Sequence, residues 1–126
     1  MKFTAIRENH LYQKAYSKGK RFVTPALAVY VLPDWGKERI RRANPLKKTV
    51  NRIGLTVSKK LGGSVVRSRT RRILREAYRQ LDKQYGIKTG FLVVLAARQD
   101  ATTMKSTEIA LQLHTALSKL DMLKKK

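Results

Sequence analysis

Val65-Val66-Arg67-Ser68-Arg69-Thr70-Arg71-Arg72-Ile73-Leu74-Arg75-Glu76-Ala77-Tyr78-Arg79 is the stretch on which the fold of this chain turns. Set at about 100° per residue, Val66, Ile73, Leu74, Ala77, Tyr78 and Leu81 gather on one side of a helix. Arg71, Arg72, Arg75 and Arg79 gather on the other side, at spacings that put them on neighbouring turns. Like charges stacked this way destabilise an isolated helix by roughly 0.2–0.5 kcal/mol per adjacent pair. Within the run from Arg67 to Arg79, Glu76 alone relieves the repulsion. Five Arg and no Lys stand between Arg67 and Arg75. A guanidinium fork matches phosphate oxygens and stacks on bases, so this face suits a nucleic acid better than bare solvent.

The elements on either side follow from periodicity and turn residues. Upstream, Ile53, Leu55 and Val57 alternate with Arg52, Thr56 and Ser58, a half-buried strand over residues 50–58. Gly62-Gly63 makes the turn, and Ser64 is a candidate N-cap for the arginine helix, which runs to about Tyr85 before Gly86. Downstream, the apolar run 91–97 reads as a central strand or a buried helix; its length and the flanking Gly90 favour the strand. A last helix over about 104–122 carries Ile109, Leu113, Ala116, Leu117 and Leu120 on one face. Near the start, Asn9 can cap a helix over residues 10–18 that stops at Gly19, with Leu11/Ala15 and Tyr12/Tyr16 as i,i+4 pairs. Short strands at 21–23 and 26–32 follow. Residues 33–49 form a basic loop and 123–126 a frayed basic tail. The order, helix, two or three strands, helix, strand, helix, predicts an α+β fold with a small mixed sheet and helices packed against it.

Composition narrows the function. The 126 residues suit a single domain, and a 42% apolar content is too high for a disordered basic tail. With 29 Lys and Arg against 8 Asp and Glu, the net charge is +21, and phosphate contact would relieve the self-repulsion. Membrane-surface binding would also suit such charge, but no stretch approaches ~20 apolar residues and Met1–His10 lacks the apolar centre of a signal peptide. The absence of Cys removes disulfides and thiolate metal sites and fits a cytoplasmic protein.

Catalysis by side chains needs a base, a carboxylate cluster or a histidine pair. Glu8, Asp34, Glu38, Glu76, Asp82, Asp100, Glu108 and Asp121 are scattered, and His10 and His114 stand alone. An autonomous metal nuclease is therefore disfavoured, and a binding protein is favoured. Two binding surfaces present themselves. One is the arginine helix. The other is Tyr12 and Tyr16, joined by Tyr30 and flanked by Lys14, Lys18, Lys20 and Arg21, which could stack unpaired bases. The same tyrosines could equally be half-buried core with hydroxyls at the rim. Arg52, Thr56, Ser58, Lys59 and Lys60 could line the same surface.

Ile53-Gly54-Leu55-Thr56-Val57-Ser58-Lys59-Lys60, Gly62, and then Arg67-Ser68-Arg69-Thr70-Arg71-Arg72-Ile73-Leu74-Arg75-Glu76 together resemble the protein subunit of bacterial ribonuclease P. The segment from Tyr12 to Gly19, Tyr30, the run 91–97 and the final helix fall in that family's order. Ser68 stands where the family's helix motif has Asn, and Arg71 where it has Lys; Tyr12 and Tyr16 add hydroxyls where the family usually has Phe at one or both positions. The resemblance implies an αβββαβα sandwich with a left-handed βαβ crossover. It also implies a ribonucleoprotein endoribonuclease that removes the 5′ leader from precursor tRNA. A catalytic RNA with Mg²⁺ would do the chemistry, with metal positions on the protein unspecified. The protein would dock on that RNA through Arg67, Ser68, Arg69, Arg71, Arg72 and Arg75. A cleft of Tyr12, Tyr16, Tyr30, Arg52, Thr56, Ser58, Lys59 and Lys60 would hold the single-stranded leader. No membrane and no obligatory protein partner are implied. On composition alone, a ribosomal or other structural RNA-binding protein is the alternative.

Overall fold

The computed structural model describes residues 3–5, 9–33, 51–88 and 90–124. The side chains of Asn9, His10 and Leu11, and the basic connection beyond Pro33, lie outside the described residues. In chain order the elements are β1 (Phe3–Ala5), α1 (Asn9–Lys18), β2 (Lys20–Val23), β3 (Leu27–Pro33), β4 (Asn51–Thr56), α2 (Ser64–Gln84), β5 (Phe91–Ala97) and α3 (Ser106–Lys119). They form one mixed sheet in the order β1-β4-β5-β3-β2. β4 runs parallel to both β1 and β5, while β3 is antiparallel to β5 and to β2.

The α+β expectation holds, and the apolar run 91–97 is the central strand. Its middle residues Leu92, Val93, Val94 and Leu95 are buried because helices cover both faces of the sheet. On one face Val93 and Leu95 join Ile53, Val57, Ile73, Leu74, Ile109, Leu113 and Leu117, packing α2 and α3 against the sheet. On the other face Leu92 and Val94 meet Leu32 and Ala15 of α1. The alternation read in residues 50–58 is therefore real: Ile53 and Val57 face α2, while Gly54 pairs laterally with Val94 and Thr56 with Ala96 on the α1 side.

Four expectations are corrected. The strand β1 has no counterpart in the sequence-based order; three residues are too few for a periodic pattern, and parallel pairing of Phe3 with Asn51 defines them. Ser64 is the first helical residue and not the cap. Gly63 occupies the N-cap without a side-chain bond, and Ser58 instead accepts from Lys60 N (3.2 Å) to cap a 3-10 turn at Lys59–Leu61. The last helix stops at Lys119, three residues early. There Asp121, in the left-handed region (φ 58°), lets Met122 N reach Leu117 O (2.9 Å) and Asp121 N reach Ser118 O (3.1 Å), a Schellman ending. The tail is not frayed at Leu123 and Lys124. Leu123 is buried and bridges Ile87, and Lys124 N donates to Gly86 O (2.8 Å).

One side chain joins the start of β4, the start of β5 and α2. Asn51, 2% exposed, donates its amide to Tyr78 Oη (2.9 Å) and Lys88 O (2.8 Å) and accepts from Phe91 N (2.9 Å). Asn51→Ala removes three hydrogen bonds at a buried site, so unfolding free energy in urea should fall by roughly 2–3 kcal/mol. Burial raises the Tyr78 hydroxyl far above its ordinary range; the Asn51 bond opposes that rise, and the Asp82 charge adds to it. The unfolded chain ionises at about pH 10, while the folded chain keeps Tyr78 neutral, so its stabilising contribution is complete below pH 10 and is lost above it. Tyr78→Phe should therefore flatten the alkaline limb of a stability–pH curve by up to about 1.4 kcal/mol per pH unit above pH 10.

Candidate nucleic-acid interface

Burial sorts the arginines of α2. Thr70, Ile73, Leu74, Ala77, Tyr78 and Leu81 form its buried face. One stripe along the edge of that face, at spacings of four, three and four, runs from Arg67 and Arg71 to the buried Leu74 and Tyr78; its two arginines are half-buried. The next stripe, one residue on, holds Ser68, Arg72, Arg75 and Arg79, all exposed. Arg69 lies on the far flank, where its Nη1 donates to Thr102 O (3.0 Å) and ties α2 to the 3-10 turn Gln99–Thr102. The single arginine face expected from the sequence is thus three surfaces. Arg71 leaves the outward group, and Arg69 has a structural bond that helical spacing could not reveal. Ser64, Val65, Ser68, Arg69 and Arg72 line a shallow depression of about 540 Å³, with Val65 81% exposed at its rim.

The tyrosine surface divides as well. Tyr12 and Tyr30 are half-buried against Ala15, Leu32, Leu92 and Val94, whereas Tyr16 is 40% exposed. Core packing thus applies to two of the rings, and a presented ring to the third. Tyr16 Oη lies 2.6 Å from Thr56 Oγ1, and its ring meets Tyr30 edge-to-face at a centroid distance of 4.9 Å. Tyr12 lies over Gly54, a residue the sequence reading did not single out; a Cβ there would collide with Tyr12 Cε1. Burial raises the Tyr12 hydroxyl above its usual range, reinforced by Tyr16. A backbone hydrogen bond from Leu55 and the charge of Arg71 pull the other way.

The remaining cleft residues continue this side. Arg52 is half-buried, in register with Leu92, while Ser58, Lys59 and Lys60 are exposed where β4 ends. The Ser58 hydroxyl is partly spent on its turn. Lys18, Lys20 and Arg21 are exposed nearby, Arg21 paired in register with Tyr30.

Among the described residues no three His, Asp or Glu side chains come together as a metal site. Asp82 accepts from Ile87 N (3.1 Å), Asp121 pairs with Lys88 (3.2 Å), and the His114 ring meets Tyr85 at a tilt, with centroids 4.6 Å apart. No described helix is long and apolar enough to cross a membrane.

If Gly54 exists to seat Tyr12, the two positions must be energetically coupled. Gly54→Ala should cost roughly 1–3 kcal/mol by overpacking, and most of that cost should vanish in a Tyr12→Ala background. Additive losses in a double-mutant cycle of unfolding free energies would show that the glycine serves another purpose.

The sequence model of the family described as Ribonuclease P matches residues 1–121. The chain is 36% identical over 109 residues to the ribonuclease P protein component of Clostridium acetobutylicum, covering 86% of this chain and 82% of that one. It is 34% identical over 121 residues to the component of a Thermoanaerobacter species, covering 92% of each. Among solved structures it is similar to the RNase P protein of Staphylococcus aureus (TM-score 0.72, 25% identity, 97% of both chains). The RNase P protein of Thermotoga maritima shares the fold at TM-score 0.68 and 17% identity, over 88% of this chain and 92% of that one. Matched along nearly its whole length, the chain belongs to the ribonuclease P protein family, the protein components of an RNA-processing ribonucleoprotein enzyme.

Proposed function

We propose that the exposed stripe Ser68, Arg72, Arg75 and Arg79 docks the chain on the catalytic RNA of ribonuclease P, and that the α1 side of the sheet holds the single-stranded 5′ leader of precursor tRNA. The observation that carries this division is the separation of two unlike basic surfaces. One is a helical row of guanidinium groups suited to duplex phosphates. The other is an exposed aromatic ring, Tyr16, beside a hydroxyl pair and the cations Lys18, Lys20, Lys59 and Lys60, suited to unpaired bases. Phosphodiester hydrolysis is assigned to the RNA subunit with Mg²⁺. The protein's part is to neutralise backbone charge and to position the leader. A ribosomal or structural role would need only the first surface.

Cleavage of precursor tRNA at low Mg²⁺ tests this with wild type and two variants. Wild-type protein should accelerate cleavage by the RNA subunit and should cleave nothing by itself. Arg72→Ala with Arg75→Ala should weaken binding to the RNA subunit and lower the log–log salt slope by roughly 0.7–0.9 per lost phosphate contact. Tyr16→Ala should weaken leader-bearing substrate by roughly 1–3 kcal/mol and spare mature tRNA. Cleavage by protein alone, or no effect of wild type on the RNA subunit, would overturn the assignment.

A further inference from the structure

Arg71 and Arg72 are neighbours in sequence but look at different places. Arg71 shares its stripe with Tyr78, whose hydroxyl touches Asn51 at the first residue of β4. Because β5 is parallel to β4, the connecting helix α2 must run back antiparallel to β4. Counting back seven residues from Tyr78 at about 1.5 Å each puts Arg71 about 10 Å along the helix. Climbing β4 from Asn51 at about 3.3 Å per residue covers that distance at Gly54 to Leu55. Gly54 is the seat of Tyr12, and Leu55 supplies the backbone bond to the Tyr12 hydroxyl. By the same count, Arg67 comes level with Thr56, the partner of Tyr16.

What separates the arginine flank from the tyrosines is the outer edge of β4. β1 pairs only with Asn51–Ile53, and among the described residues no strand pairs with β4 beyond Ile53 on that side. A half-buried guanidinium on α2 can therefore meet α1 around this edge, and the charge of Arg71 is felt at the Tyr12 hydroxyl. Arg67, behind it, keeps its Nε buried with no hydrogen-bond partner among the described residues.

We propose that Arg71, backed by Arg67, is a substrate residue. It receives a phosphate of the single-stranded leader where that strand passes over Tyr12 and the bare edge of β4, while Arg72 faces the RNA subunit. This rests on the tyrosine side being the leader site. The boundary between the two RNA contacts would then fall between two consecutive residues of one helix.

The test uses holoenzyme reconstituted from the full chain and RNase P RNA, with leader-bearing precursor tRNA and mature tRNA as ligands. Affinity for the RNA subunit is measured in parallel. Arg71→Gln, which keeps the packed stem, should weaken leader-bearing precursor roughly tenfold more than mature tRNA and shift RNA-subunit affinity less than about twofold. Arg71→Lys should restore most of the loss. Arg72→Gln should show the reverse selectivity. If Arg71→Gln weakens the RNA subunit as much as Arg72→Gln does, or weakens precursor and mature tRNA equally, the proposal is wrong. Tyr16→Ala separates the two levels: should it discriminate leader while Arg71→Gln does not, only the assignment of Arg71 fails; should neither discriminate, the leader cleft itself is misplaced.

Discussion

Three hydrogen bonds converge on the buried amide of Asn51, and both basic surfaces depend on where they hold α2. Two adjacent parallel strands cannot be joined by a tight turn; they need a crossover long enough to return along their length. Here that crossover is α2, and its lateral position over the sheet is set where Tyr78 meets the first residue of β4. The same amide accepts from Phe91 N and so registers the first residue of β5. Each of these groups is costly to bury unpaired, so the amide is tied to one arrangement. Rotating α2 by one residue would exchange the half-buried arginine stripe for the exposed one.

Charge explains why the helix is sorted so sharply. At +21 the chain cannot neutralise itself. The Lys88–Asp121 pair is solvent-exposed, and such pairs contribute little. Six arginines lie on α2 outside its buried face, and what distinguishes them is their neighbours. Arg69 finds a backbone carbonyl on the turn before α3, Arg67 and Arg71 lie along β4, and Arg72, Arg75 and Arg79 face outward. A polyanion placed along the outward row would remove repulsion that the folded chain otherwise carries.

The opposite side of the sheet is assembled by hydroxyl groups that plain aromatic rings would lack. Tyr16 reaches Thr56, and Tyr12 reaches the Leu55 backbone across the bare surface of Gly54. These contacts fasten α1 to β4, the strand nearest the arginine helix. In this chain the tyrosine surface and the arginine helix thus share one strand as their common support.

Periodicity in the sequence determined the α+β class, the apolar faces of α2 and β4, the central strand and the scattering of the carboxylates, because each rests on spacing within one element. The family resemblance rested on the run from Ile53 to Glu76. Helix ends were harder. Ser64 and the stop after Lys119 depend on which residue takes the Gly63 and Asp121 backbone conformations, and propensity does not decide that. The three-residue β1 and the anchored Leu123 and Lys124 arise from pairing with distant segments, so no local pattern announced them. Only the tertiary structure could divide the arginines or rank the tyrosines. Whether a side chain on a helix flank meets solvent, a carbonyl or another element depends on what packs beside it, and for Arg69 and Tyr12 those neighbours are 33 and 42 residues away, at Thr102 and Gly54.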